Sequence, residues 1–399
     1  MKKDAILICT GCGKEFPLNR IHPRCAGCNE PLEVAYGRLA PVEIPARGTM
    51  LERYGDFLPF SVPRREISLG EGNTPLLRAG ALAEELGMLS LFFKNETQNP
   101  TWSFKDRGTV TGLMHAVSLG ITKIGTVSTG NMAVSVAAYG ARAGLETYVL
   151  VSKGIAEEKI APIAIHGPRL LTVDGDYGEL YFRSIEVGER RGIYFINSDV
   201  PFRVEGSKTI AFEICEQLAF QAPAYVVVPT SSGGNFRGIQ KGFEEMHRVG
   251  AIDRLPRMIA AQAAGCAPIA TAFGRGGLTV ERVKEPRTIA HAIENPFPPS
   301  GNQVLRKLRE HGGLAVTVTD EEILAAQGLM AGTGIFGQPE GAVPLAAVKK
   351  LRAENVLEPA DSVVCIVSGA GLKYMAALRL HRFEVRGVSI ERLEEALVG

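Results

Sequence analysis

The sequence feature that most constrains the fold is an alternation. Nine short apolar runs, "LSLFFKNE", "KIGTVSTG", "ETYVLVSK", "PRLLTVDG", "IYFINSD", "AYVVVPTS", "RMIAAQAA", "LAVTVTD" and "SVVCIVSG", recur from residue 89 to residue 369, and most end in Gly, Ser, Thr, Asn or Asp. Between them lie helix-length amphipathic stretches such as "MAVSVAAYGARAG", "DYGELYFRSIEVGERRG" and "DEEILAAQGLMAG". Short apolar runs bounded by turn residues predict buried strands. Strands that alternate with helices predict an α/β chain with mostly parallel sheets covered on both faces. Ligands in such sheets bind beyond the carboxyl ends of the strands, so the residues just after each run are the ones to inspect.

The chain has 399 residues, 45% of them apolar, enough for two or three domains with large cores. Its 44 Lys and Arg nearly cancel 43 Asp and Glu, so no overall field exists to gather nucleic acid or an anionic membrane. An anionic ligand must be held by a local site. The N-terminal "MKKDAILICTGCG" has an apolar run too short for a signal peptide, and no long uncharged stretch occurs, so a soluble cytoplasmic protein is expected. Seven cysteines, with Cys215, Cys266 and Cys365 scattered singly, suit a reducing compartment.

The other four form two Cys-x-x-Cys knuckles, Cys9/Cys12 and Cys25/Cys28, 12 residues apart. Four thiolates suit tetrahedral zinc with no open position, hence a structural site; a metal-free remnant or a disulfide pair is the other reading. His22 is not needed to complete that shell. A zinc ribbon can also be a nucleic-acid module, but residues 1–37 lack the aromatic run that base stacking needs.

Three strand ends carry unusual small polar residues. Ser128, Thr129, Gly130 and Asn131 precede a helix, where hydroxyls and exposed amides form an anion site sized for a carboxylate; a plain N-cap explains one of them. In "SSGGN", Ser231, Ser232, Gly233, Gly234 and Asn235, two glycines let successive N–H groups converge on a phosphate, or merely make a strand-to-helix turn. The loop is neither a Walker motif nor a dinucleotide fingerprint. Ser368 follows a strand and either meets a ring nitrogen or caps the next helix.

Together with "GEGNTPLL" (70–77), "NPTWSFKDRG" (99–108) and "INSDVPFRVEGSKTIAFEI" (196–214), the segments "STGN", "SSGGN" and "SGAGLK" occur in the order found in threonine synthases. From about residue 45 to 375 the chain resembles these enzymes, which belong to the fold-type-II pyridoxal phosphate (PLP) family. The cysteine-bearing N-terminus is similar to that of several threonine synthases. The resemblance implies that Lys105 forms a Schiff base with PLP and later shuttles protons, which requires desolvation to lower the pKa of its amine. It implies that Asn131 contacts the cofactor's phenolic oxygen, that Ser231 to Asn235 cradle its phosphate, and that Ser368 meets its ring nitrogen. Ser128, Thr129 and Gly130 would hold the substrate carboxylate. Asn197, Ser198 and Arg203 match a segment that would hold a substrate phosphate, for which an arginine fork is suited; without that match Arg203 reads as a surface ion pair. Asp106 and Arg107 read as structural partners of each other or of the helix they open.

The implied fold is two open three-layer α/β domains plus a small N-terminal zinc-ribbon-like segment: residues 1–37 for the ribbon, 38–110 with 206–399 for a large PLP-binding domain, and 111–205 for a small one. The implied activity converts O-phosphohomoserine and water to threonine and phosphate, in an enzyme of a kind that is often a homodimer. Four features depart from the pattern. Met132 stands where a Thr is usual, Ser232 where an Asn is common, Trp102 where a small residue is found, and "QPEGA" (338–342) where Glu-Pro-Ala/Ser occurs. Trp102 either walls the pocket or packs at a domain interface. These changes keep open β-replacement or β-elimination on phosphoserine, serine or threonine, as in a cysteate synthase or a threonine dehydratase.

Overall fold

The computed structural model describes residues 1–2, 4–40, 43–61, 64–382 and 387–398. All nine apolar runs form strands, and four more precede them. In chain order they are β1 (Ala5–Cys9), β2 (Glu15–Phe16), β3 (Leu32–Tyr36), β4 (Leu76–Arg78), β5 (Ser90–Asn95), β6 (Lys123–Val127), β7 (Glu146–Ser152), β8 (Arg169–Val173), β9 (Tyr194–Phe195), β10 (Tyr225–Pro229), β11 (Arg257–Ala263), β12 (Leu314–Val318) and β13 (Ser362–Val367).

They make three sheets. Six strands run in the order β12-β11-β10-β13-β5-β4, four in the order β8-β7-β6-β9, and three in the order β2-β1-β3. The four-stranded sheet is parallel throughout, and in the six-stranded sheet only β4 is antiparallel. Alternation along the central strands shows why the large sheet is buried on both sides. Val226, Val228, Val364 and Ile366 enter one apolar core, while Val227, Val363, Cys365 and Val367 enter the other.

The order of strands sets the site. Because β13 lies between β10 and β5, all parallel, their carboxyl ends lie side by side, and the segments that follow Asn95, Pro229 and Val367 emerge at one edge. In the smaller sheet β6 pairs with β9, which brings the segments after Val127 and Phe195 together in the same way.

One expectation needs correction. "PRLLTVDG" is not a buried strand: β8 is the edge of its sheet, and Leu171 is 50% exposed. The N-terminal segment packs into the main core. Leu7, Leu32 and Val34 of its antiparallel sheet belong to the same core as Phe202 and Phe243, and the buried His115 ring bonds to the Leu18 carbonyl through Nε2 at 2.9 Å. The helix Lys105–Ser118 runs across residue 110, where the large domain was expected to give way to the small one.

Candidate active site

Lys105 is the first residue of the helix Lys105–Ser118. The turn before it is locked to the end of β13: the Phe104 N–H donates to the Ser368 carbonyl (3.1 Å) and the Ala370 N–H to the Trp102 carbonyl (3.0 Å). Asp106 braces the same turn, accepting from the Thr101 N–H (2.7 Å), the Thr101 hydroxyl (2.5 Å) and the Ser135 hydroxyl (2.6 Å). Arg107 points to the other side and forms ion pairs with Glu96 (2.7 Å) and Glu213 (2.6 Å), and Lys94 also reaches Glu213 (2.6 Å). Both residues serve structure as expected, though neither is the other's partner.

The Lys105 amine is treated differently. Among the described residues no hydrogen bond or ion pair engages it, and it stands 4.6 Å from the centre of the Phe104 ring. Burial, with the nearby Arg203 and Lys373 cations acting in the same direction and Glu340 opposing, lowers its pKa from 10.5 to about 7. An amine so tuned is nucleophilic at neutral pH.

Lys105 lies on a cleft with Asn131, Ser198, Arg203, Ser231, Ser232, Gly233, Asn235 and Ser368 also on its wall. Arg203, buried and held by Thr109 Oγ1 (2.9 Å) and the Lys105 carbonyl (3.2 Å), brings a guanidinium beside the lysine. Its spacing from Lys105 is fixed by glycines. A Cβ on Gly206 would stand 2.0 Å from the Arg107 carbonyl oxygen, and one on Gly108 3.0 Å from that of Arg203, so the helices Lys105–Ser118 and Pro201–Ser207 touch backbone to backbone.

Opposite them, Gly233 adopts a left-handed φ of 92° and starts the helix Gly234–Arg248. Both amide atoms of Asn235 are buried without a hydrogen-bond partner among the described residues. Buried polar atoms are normally satisfied, so an orphaned amide at a helix N-terminus marks a place for an anionic group from outside the chain. Ser368 is buried, and no hydrogen bond from its hydroxyl occurs among the described residues. Asn131 is anchored by its Nδ2 to Gln338 Oε1 at 2.7 Å. An unpaired amine, an unsatisfied anion cradle and a free hydroxyl on one cleft fit a cofactor that carries an aldehyde, a phosphate and a ring nitrogen.

Some expected residues are elsewhere. Ser128, Thr129, Gly130, Asn197 and Gly234 are not on the wall of this cleft. Ser128 Oγ accepts from the Gly130 N–H (3.2 Å), which closes the turn into the helix Asn131–Arg142. The Asn197 side chain accepts from the Val127 N–H (3.0 Å) and donates to Ser184 Oγ (3.2 Å), joining the ends of β6 and β9. Met132 faces the core, and Trp102, with φ of 62°, is 52% exposed. Neither Met132 nor Trp102 walls the cleft.

Sequence reasoning missed Glu340. It is buried on the cleft wall, and burial raises its pKa to about 7 against the pull of Lys159, Lys373 and Lys105. A lone acid inside the apolar stretch "GQPEGAVPLAA" was the available signal.

At the N-terminus the sulfur atoms of Cys9, Cys12, Cys25 and Cys28 all lie within 4.8 Å of one another. Tetrahedral thiolates on zinc stand about 3.8 Å apart, and here the Cys9–Cys28 and Cys12–Cys25 separations are 3.3 and 3.7 Å.

Residues 67–369 match the family described as pyridoxal-phosphate dependent enzyme. The chain is 40% identical to a threonine synthase of Methanocaldococcus jannaschii, with 92% of each chain covered. It is 37% identical to a threonine synthase of Methanosarcina acetivorans, again over 92% of each. Among solved structures, the processed threonine deaminase isoform 2 of Solanum lycopersicum superposes with a TM-score of 0.66 at 20% identity, covering 90% of this chain and 97% of that one, a likeness of fold.

Proposed function

The chain belongs to the family of pyridoxal-phosphate dependent enzymes, and we propose that within it the chain acts as a threonine synthase, turning O-phosphohomoserine and water into threonine and phosphate. The observation that carries this reading is the unpaired Lys105 amine in a cleft shared with the unsatisfied amide of Asn235 and the buried guanidinium of Arg203.

Bound PLP supplies an electron sink for the charge left when a carbon next to the substrate nitrogen loses its proton. Lys105 would hold the cofactor through its amine, and the same amine, with a pKa near the working pH, would take and return protons. Ser231 to Asn235 would hold the cofactor phosphate at the N-terminus of their helix. Asn131 and Ser368 would fix the ring, the Ser368 hydroxyl being able to donate to or accept from a ring nitrogen. Ser128, Thr129 and Gly130 are off the cleft wall but lead directly into Asn131, which is on it, and would receive the substrate carboxylate there. Arg203 and Ser198 receive the substrate phosphate, with Asn197 holding their segment against β6. The desolvated Arg203 cation draws the leaving dianion, and its contact with the Lys105 carbonyl keeps the phosphate near the proton carrier.

The strands of residues 111–205 form the four-stranded sheet, which supports reading that stretch as a small domain over a larger PLP-binding one. The four clustered sulfurs support a structural zinc, and one equivalent per chain should survive purification without added metal; under about half an equivalent with intact thiols would count against it. No helix among the described residues is long and apolar enough to cross a membrane, in keeping with a cytoplasmic enzyme, and we read it as a homodimer.

The test is phosphate release from O-phosphohomoserine with threonine as the amino-acid product. Turnover of O-phosphoserine instead, or keto acid from threonine or serine with no phosphate released from O-phosphohomoserine, would replace this reading with the β-replacement or β-elimination one.

A further inference from the structure

Arg24 stands directly before Cys25, yet its guanidinium leaves the cysteine segment. Nε donates to the Asn29 carbonyl (2.7 Å) and to Asn29 Oδ1 (3.2 Å), so the second knuckle fixes the fork. The two remaining nitrogens reach into the enzyme body: Nη1 to Asp199 Oδ2 at 2.5 Å and Nη2 to the Pro299 carbonyl at 3.1 Å. These are the flanks of the cleft.

Asp199 follows Ser198, a residue of the cleft wall, and its carboxylate is fully buried with Tyr181 OH as its other partner. The Ser198 carbonyl oxygen lies 2.5 Å from where a Cβ on Gly234 would stand, so this loop packs directly against the start of the cradle helix. Pro299 precedes Ser300, whose N–H donates to the Ser232 carbonyl of the cradle (3.0 Å) and whose hydroxyl accepts from Arg237 Nη1 (3.0 Å). Arg237, one turn into the cradle helix, returns to the cysteine segment through Nη2 and the Leu32 carbonyl (2.9 Å). One side chain held by the metal knuckle thus closes a circuit around both anion-binding segments.

We propose that Arg24 is a positioning residue of the active site, clamping the loop Asn197–Asp199 to the segment Pro299–Ser300 so that Ser198 and Ser232 face each other at a fixed separation. The cysteine segment is then a working part of the catalytic body. Without the Arg24 fork, the Asp199 carboxylate would be buried with no cation of its own at contact distance. It would have to take a proton or move toward water, and Ser198 would move with it. The catalytic consequence rests on the threonine synthase reading; the mechanical one does not.

The experiment uses the full-length holoenzyme and its R24M, R24K, D199N and E30Q variants, with hydrogen exchange at residues 197–203 and 230–236, zinc content, and kcat and KM for O-phosphohomoserine. Glu30 docks the cysteine segment on Arg306 (2.7 Å) and Asn302 (3.0 Å), so E30Q weakens that docking while leaving every hydrogen bond of Arg24 in place. R24M should speed exchange in both stretches and raise KM roughly tenfold with kcat within about threefold, since misplacement of a binding group is felt first in affinity. R24K, which keeps the charge but not the fork, should recover part of the loss, and E30Q should match wild type. D199N breaks the ion pair without touching the knuckle and should reproduce R24M, so it decides the matter if R24M loses its zinc. Wild-type exchange and KM in D199N or in zinc-replete R24M, or equal effects from E30Q and R24M, would overturn the clamp. If wild type releases no phosphate from O-phosphohomoserine, the function reading falls, while the exchange data still judge the clamp.

Discussion

Two residues apart on one helix, Lys105 and Arg107 show two ways to bury a cation. Behind the helix start, Arg107 meets Glu96, Glu213 and the hydroxyls of Thr74 and Thr209, and every nitrogen of its guanidinium has a partner. In front, Lys105 has Phe104 for company and an acid, Glu340, whose own pKa is raised by the same burial. The first arrangement stabilises the fold only while it stays complete; the second withholds a partner and so keeps an amine reactive. An unsatisfied group is informative when a satisfied one of the same charge lies a few ångströms away.

The sharpest break of this comparison is at Lys105 itself. K105A should lower kcat by about 10⁴-fold or more, while the melting temperature of the cofactor-free protein holds or rises because a desolvated amine is gone. Phosphate release and a thermal melt check both halves; retained turnover would remove Lys105 from the chemistry. R107M should do the reverse. It leaves Glu96 and Glu213 without their shared cation and should cost about 3–5 kcal/mol in urea unfolding of the cofactor-free protein, and an unchanged midpoint would show that the buried cluster is not holding the helix.

A pH series sharpens the contrast further. With the Lys105 pKa lowered to about 7, capture of PLP by the cofactor-free protein should fall about tenfold per pH unit well below 7 and level off above it, followed by the rise of visible absorbance. The unfolded lysine binds its proton up to 10.5, so between about 7 and 10.5 the unfolded chain carries more protons than the native one and the Lys105 contribution to stability becomes more favourable as pH rises. A capture rate that keeps rising about tenfold per pH unit beyond pH 8, as an ordinary lysine would give, would contradict the lowered pKa. The smallest effect is expected at the cradle: N235A should weaken PLP binding about fivefold to tenfold, seen by equilibrium titration. Its effect on the melt of the cofactor-free protein should be small, since Asn235 satisfies nothing in the chain.

Much of this was legible before any coordinates. The strands were legible because burial on both faces demands continuous apolar runs, and the Ser231–Asn235 and Ser368 segments because small polar residues end strands where ligands enter; Lys105 stood out only through the resemblance to threonine synthases. What could not be read was set by strand order and by partners distant in sequence. β8 has the composition of an inner strand, and only its place at the sheet edge exposes it. The three-residue β4 is too short to leave a periodic signal. Asn197 matched a ligand-binding pattern, yet its amide is engaged by Val127 and Ser184, which lie 70 and 13 residues away. Nothing local marks Arg24, whose partners lie 175 and 275 residues further on.

The close approach of the helices Lys105–Ser118 and Pro201–Ser207 has a mechanical meaning. Gly206 lets one backbone rest on the other, with no side chain between them to act as a bearing. The amine of Lys105 and the guanidinium of Arg203 therefore travel as one rigid jaw, and a substrate gripped by both is held across no joint. The cradle is seated on the same jaw, because a Cβ on Gly234 would stand 2.5 Å from the Ser198 carbonyl oxygen and one on Gly238 2.9 Å from that of Val204.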